Sequence, residues 1–242
     1  MKGLTTIERQ FNKGCTSYGL LEDGDRILVA VSGGNDSLVL CRLLAQRSRI
    51  YRPQIVVAAA HVVMDGIGYE SDLSYLQQYC DELGVPLHVL HATFPNDESR
   101  SDDRRGKTRC TLCALRRRQT LFAYAAAHGY NKVALGHHQD DILATWLMNI
   151  IFEGTATTMQ PRMTLQHYTL QDTSRPVEVI RPLCLVRERT IKALAAELGL
   201  ERQKTPCPYE TASRRADAEA LLRQLEEMNP EACPSMWHAA GL

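Results

Sequence analysis

The sequence has no net charge, no apolar run long enough to cross a bilayer, no internal repeat and no low-complexity tract. Its 28 basic and 28 acidic side chains cancel, which argues against an indiscriminate polyanion binder but leaves room for a local basic patch. Without a long apolar run, no membrane-spanning helix is expected. The first residues, Met1-Lys2-Gly3-Leu4-Thr5-Thr6-Ile7-Glu8-Arg9, lack the apolar centre of a secretory leader. The expectation is a cytoplasmic protein with no membrane partner. The 8 cysteines are too sparse for a disulfide scaffold in a chain of 242 residues.

What is present is ordinary globular material. Hydrophobic residues make up 44% of the chain and charged residues 23%, enough for one large domain with small appendages. A helical N-terminal extension is expected over 1–23, a core over 24–200 and a C-terminal extension over 201–242.

The chain alternates short apolar runs with helical patterns. Arg26-Ile27-Leu28-Val29-Ala30-Val31 has strand length, and a helix pattern with Leu38, Leu40, Cys41, Leu43 and Leu44 follows it. Further strands are expected from Ile55 to Val63, at Leu87–Leu90, at Val133–Leu135 and ending at Ile180. Helices are expected over 69–83, 112–128, 141–152 and 191–198. Fully apolar strands separated by helices predict an α/β fold: a doubly wound, mainly parallel sheet with helices on both faces. Ligands of such sheets bind beyond the carboxyl ends of the strands. The residues in question are Ser32–Ser37, His61–Asp65 and Gly136–Asp141, with His61 and Val63 assigned to the nucleotide site.

Ser32-Gly33-Gly34-Asn35-Asp36-Ser37 suits phosphate. The paired glycines admit positive φ and close approach of backbone amides. The following helix points its N-terminus at the same place. Ser32 and Ser37 add hydroxyls, and Asp36 is suited to capping the helix or holding a cation. The loop is not the Walker type, which requires Gly-x-x-x-x-Gly-Lys-Ser/Thr. A plain strand–turn–helix corner with Asp36 as N-cap is the alternative.

Gly136-His137-His138-Gln139-Asp140-Asp141 is a second polar set. Two adjacent carboxylates at a helix start suit Mg²⁺, which is held by one or two carboxylates and nucleotide oxygens. The expectation is that one aspartate caps the helix while the other is free. His137 and His138 are suited to contacting phosphate or moving a proton, and without a third ligand they make a poor zinc site.

Cys110-Thr111-Leu112-Cys113 lies at a helix start, where thiolates are favoured. A lone C-x-x-C is a redox pair, half of a zinc site or part of an iron–sulfur site. Cys207 stands between Pro206 and Pro208 in a polar stretch, whereas Cys41, Cys80 and Cys184 lie in apolar runs as small buried hydrophobes. Arg104, Arg105, Lys107, Arg109, Arg116, Arg117 and Arg118 crowd around the C-x-x-C and suit contacts to an RNA backbone. Arg117, one turn beyond Cys113, is also placed to face the pocket.

The loop Ser32–Ser37 resembles the PP-loop of N-type ATP pyrophosphatases, which bind the pyrophosphate part of ATP and adenylate a substrate. Lys107-Thr108-x-Cys110-x-Leu112-Cys113-x-Leu115-Arg116-Arg117, Leu135-Gly136-His137-His138-x-Asp140-Asp141-Ile142-Leu143, Ile180-Arg181-Pro182-Leu183 and Pro206-Cys207 are similar to successive landmarks of the tRNA 2-thiocytidine synthetases. This resemblance runs from about residue 10 to 235. It implies an adenine nucleotide alpha hydrolase-like fold and ATP-dependent thiolation of a cytidine in tRNA. It implies a [4Fe–4S] cluster on Cys110, Cys113 and Cys207, with one iron open to carry sulfur. It implies ATP and Mg²⁺ as cofactors, with Cys110, Asp140, Asp141 and Arg117 at the reacting centre. It also implies a sulfur donor such as a cysteine desulfurase, and a homodimer. Asn35 stands where the nearest members of that family have Lys. The substitution leaves room for a paralogue that thiolates another substrate, or for a non-catalytic iron–sulfur or nucleotide-binding protein.

Overall fold

The computed structural model describes residues 2–66, 73–93, 109–171, 174–201 and 214–242, the side chains of 2–5, Arg109 and Cys110 excepted. Eight α-helices and six strands follow one another as α1 (Lys2–Ser17), β1 (Arg26–Ala30), α2 (Asn35–Arg47), β2 (Val56–Asp65), α3 (Leu73–Leu83), β3 (Leu87–Thr93), α4 (Arg109–Ala127), β4 (Lys132–Ala134), α5 (Gln139–Met148), β5 (Arg162–Thr169), β6 (Pro176–Ile180), α6 (Glu188–Glu197), α7 (Arg214–Met228) and α8 (Ala232–Ala239) among the described residues. A π-helical turn, Asn149–Glu153, extends α5 and ends at Gly154 with φ 63°.

The strands form one sheet in the order β3-β2-β1-β4-β6-β5. β1 pairs in parallel with β2 on one side and with β4 on the other. The chain therefore winds outward through β2 and β3, then returns past β1 to β4. This reversal puts the loop after β1 beside the loop after β4, the arrangement in which open α/β sheets bind ligands.

Alternation along β1 feeds two cores. Ile27, Val29 and Val31 join a cluster with Ile7 and Phe11 of α1, Leu40 and Leu44 of α2, Leu76 of α3 and Ile191 of α6. Leu28 joins a second cluster on the other face with Leu121, Phe122 and Ala125 of α4 and with Val133 and Val179. Burial of both faces explains why the strands are apolar throughout. A third cluster packs Ile142 and Leu143 of α5 against Leu222 of α7 and Cys233 and Trp237 of α8.

Two expectations are corrected and one strand is added. His61–Asp65 is not a loop after β2 but its second half, because β2 pairs with β3 as far as Asp65↔Thr93. β5 went unforeseen: it runs antiparallel to β6, and its residues are mostly exposed or half-buried. The helix expected over 141–152 is α-helical only to Met148.

Candidate active site

The phosphate loop is held by its own hydroxyls. The Ser37 hydroxyl donates to the Gly34 carbonyl at 2.8 Å and accepts from the Ser32 amide at 3.1 Å. The Gly34 amide donates to the Ser32 hydroxyl at 3.3 Å. Gly33 takes φ 85°, a conformation open chiefly to glycine. Gly34, not Asp36, is the N-cap of α2, and no side chain caps that helix. The start of α2 thus presents an uncapped amide turn, which fits an anion. The amide oxygen of Asn35 is buried with no hydrogen-bond partner.

The chain after β4 lies directly on this loop. A Cβ on Gly136 would stand 3.1 Å from the Ser37 nitrogen and 3.2 Å from the Asp36 carbonyl carbon. Glycine is needed there for the two segments to touch.

The His-His-Gln-Asp-Asp segment departs from the expected assignment. His138 is the N-cap of α5. Its Nδ1 accepts from the Asp141 amide at 3.3 Å, while Asp141 Oδ2 accepts from the His138 amide at 3.0 Å. Asp141 also binds Arg215 of α7 through Oδ1. Asp140 is not free either. Its Oδ1 accepts from Arg187 at 2.6 Å and its Oδ2 accepts from the Glu188 amide at 2.8 Å. Burial alone would raise the Asp140 carboxyl, but the Arg187 and Glu188 bonds outweigh it and hold Asp140 below the usual carboxylate range. Asp36 moves the other way. Burial, reinforced by Asp141 and Glu188 and opposed by His138, raises its carboxyl. Crowded carboxylates of this kind, Asp36 and Asp141, fit a divalent cation. No group of three or more metal-ligating side chains occurs among the described residues.

His61, 5% exposed, bonds the Val31 carbonyl through Nδ1 at 2.8 Å. Burial lowers its basicity, the Val31 bond opposes this, and Arg117 of α4 lowers it further. Arg117 of α4 thus lies close enough to His61 for its charge to act on the ring. Val63 is half-buried and stands opposite His91 in β3. His137 is pushed down to about 4, first by burial and then by Arg181, against the pull of Asp141 and with Arg215 and Arg118 adding to it.

Cys113 is half-buried on α4 and packs against the second core cluster. Cys110 lies in the first turn of the same helix, although its side chain is outside the described residues. Cys207, Arg104, Arg105 and Lys107 lie outside them altogether. Arg116 and Arg118 are exposed on α4. Cys41, Cys80 and Cys184 are buried, as their apolar surroundings suggested.

Sequence reasoning gave no role to three arginines, Arg181 of the Ile180–Leu183 landmark among them. Arg187 and Arg215 hold the aspartate pair, and they lie 47 and 74 residues further along the chain. Arg181 follows β6 directly and is 6% exposed. The rule that selected the residues after β1 and β4 selects Arg181 as well when applied to the strand ending at Ile180.

No helix among the described residues is long and apolar enough to cross a membrane. Comparison with known proteins gives a family. A family model described as PP-loop domain matches residues 4–216. The tRNA-cytidine(32) 2-sulfurtransferase of Bdellovibrio bacteriovorus is 34% identical over 228 residues, covering 93% of this chain and 83% of that protein. The protein of the same name from Geobacter sulfurreducens is 36% identical over 237 residues, covering 97% and 88%. Among solved structures, the U34-tRNA thiolase NcsA from Methanococcus maripaludis, with its [4Fe–4S] cluster, superposes with a TM-score of 0.75 at 24% identity. That alignment covers 97% of this chain and 77% of the thiolase, and it shows the shared fold. The chain belongs to the PP-loop family and, within it, to the tRNA 2-thiocytidine synthetases.

Proposed function

We propose that this chain, by family an enzyme of tRNA thiolation, adenylates the C2 oxygen of an anticodon-loop cytidine and replaces that oxygen with sulfur. The contact of Gly136 with Ser37 and Asp36 carries the proposal, because it merges the two nucleotide-side motifs into one site. Relatives named for thiolation of cytidine 32 support the choice of base.

Ser32–Ser37 and the uncapped start of α2 hold the phosphates of ATP through backbone amides and hydroxyls. Asp36 and Asp141 would hold Mg²⁺, which would supply neutralisation of the phosphate charge, and Arg215 pairs with Asp141 on its other side. Asp140, tied to Arg187 and to the Glu188 amide, serves as a positioning residue for the start of α5. The base oxygen forms a bond to the α-phosphorus as the bond to the pyrophosphate oxygen breaks. Arg117, beside His61, faces the negative charge gathered there. AMP then leaves from C2 as sulfur adds. The cytidine must be unstacked to reach the site.

Cys110 and Cys113 share one face of α4 by their spacing. With Cys207 they would hold a [4Fe–4S] cluster, which supplies the sulfur carrier. A half-buried thiol at Cys113, in the turn of α4 that follows Cys110, fits that group. Substrate tRNA, a sulfur-donor system such as a cysteine desulfurase, and a homodimer complete the proposal. In it, residues 1–242 form a single PP-loop domain whose C-terminal extension supplies a cysteine.

The test is anaerobic reconstitution with iron, sulfide, ATP and tRNA, followed by nucleoside analysis. The expected product is 2-thiocytidine, and its absence with cluster and ATP both bound would sink the reading. Iron and sulfide content should fall together in the Cys110→Ser, Cys113→Ser and Cys207→Ser variants.

A further inference from the structure

Arg181 is buried without an anion. It is 6% exposed, its Nη1 donates to the Gln160 carbonyl and its Nε donates to His137 Nδ1 at 3.3 Å. No carboxylate pairs with it among the described residues; burial lowers its basicity and the charge of Arg118 lowers it further, opposed by Cys184. A guanidinium in this setting is stable only with a counter-ion or an exit to water.

The bond to His137 settles a further point. An Nδ1 that accepts from Arg181 puts the proton of the neutral ring on Nε2. Among the described residues no hydrogen bond engages His137 Nε2 or Arg181 Nη2. Arg118, exposed on α4, uses its Nε on the Ala114 carbonyl and has its terminal nitrogens to offer. Three donors thus come together near the ends of β4 and β6, and the carboxylate acting on His137, Asp141, is itself paired with Arg215.

We propose that Arg181, Arg118 and His137 form a phosphate subsite, separate from the loop Ser32–Ser37, that takes a backbone phosphate of the RNA beside the target nucleotide. This deepens the function proposed above and rests on it. RNA is favoured over ATP because the nucleotide's phosphates already have the amides of the β1 loop, whereas Arg118 is exposed on α4.

The test measures binding of an anticodon stem-loop RNA over a range of salt, and separately of Mg²⁺ with a non-hydrolysable ATP analogue. The full chain is compared with Arg118→Gln and Arg181→Gln. Each variant should bind RNA about tenfold more weakly, with a salt slope shallower by about one, and bind the nucleotide within about twofold. Arg118 is exposed, so Arg118→Gln should keep its unfolding midpoint even if Arg181→Gln does not. Unchanged RNA affinity and slope in Arg118→Gln would overturn the subsite. Loss of nucleotide binding with RNA binding intact would assign the anion to ATP and overturn the RNA assignment. If wild-type protein ignores RNA, the thiolation reading itself falls. Inorganic phosphate then decides the subsite: a phosphate-induced stabilisation undiminished in Arg118→Gln rejects it.

Discussion

Nη2 of Arg187 lies 2.6 Å from Oδ1 of Asp140. The same guanidinium holds Glu226 of α7, through Nη1 at 2.6 Å and Nη2 at 2.8 Å. One arginine thus ties the aspartate motif after β4 to a C-terminal helix. Arg187 and Asp140 are only 12% and 16% exposed, so removing the cation leaves two carboxylates with little solvent to neutralise them. Arg187→Met should destabilise the fold by about 3 kcal/mol, as for other broken buried pairs. Adding Asp140→Asn to Arg187→Met should restore part of the loss. Chemical denaturation of both variants measures this, and a double variant worse than the single one would contradict it.

Gly136→Ala should act on ATP. Its new Cβ meets backbone of Ser37 and Asp36, which cannot rotate away. The expected result is at least about tenfold weaker binding of ATP, with about 1–2 kcal/mol of destabilisation from overpacking. Calorimetric titration with a non-hydrolysable analogue checks it, and affinity equal to wild type would mean that the loop yields.

His137 should make stability depend on acid. Its ordinary value of 6.5 falls to about 4 in the fold. The unfolded chain therefore takes up a proton at this ring that the folded chain refuses. Stability contributed by the neutral ring is complete above about 6.5 and is lost as the pH falls toward about 4, an effect of up to about 3 kcal/mol. His61, also lowered, has the same sign. Asp36, raised, has the opposite sign and adds stability at low pH. The decisive comparison is the unfolding midpoint between pH 6.5 and 4.5 in wild type and His137→Asn. The variant should show the flatter profile, and parallel profiles would reject the effect.

Asn35 should matter to ligand more than to fold. Its amide oxygen is buried without a partner, so the side chain contributes little to stability. Asn35→Ala should unfold within about 0.5 kcal/mol of wild type. Asn35→Lys should strengthen ATP binding about fivefold by adding a cation beside the phosphates. An unchanged affinity in Asn35→Lys would mean that this side chain points away from them.

The sequence made the frame of the site visible and hid its ties. Ser32–Ser37 and Gly136 follow apolar runs, so their placement at the carboxyl edge could be read from local pattern alone. The partners of Asp140 and Asp141 could not, because Arg187 and Arg215 lie far along the chain and belong to different helices. His138 displaced the aspartates as the cap of α5, a role that residue preference assigns first to Asp or Asn. β5 escaped notice because an antiparallel edge strand carries exposed polar residues in place of an apolar run. His61 lies inside β2 and not beyond it, since pairing with β3 carries that strand on to Asp65.

Glu201 and Arg214, the described residues on either side of 202–213, are both held to the body of the protein. The Glu201 amide donates to the Tyr75 hydroxyl at 3.0 Å. The Arg214 guanidinium lies 4.7 Å from the centre of the Phe152 ring, and Arg215 binds Asp141. The cost of joining two held ends grows only slowly with the number of residues between them. Lengthening or shortening the chain between Glu201 and Arg214 by a few residues should therefore change folding stability little, whereas loss of the Arg215–Asp141 pair should loosen α7 at its start.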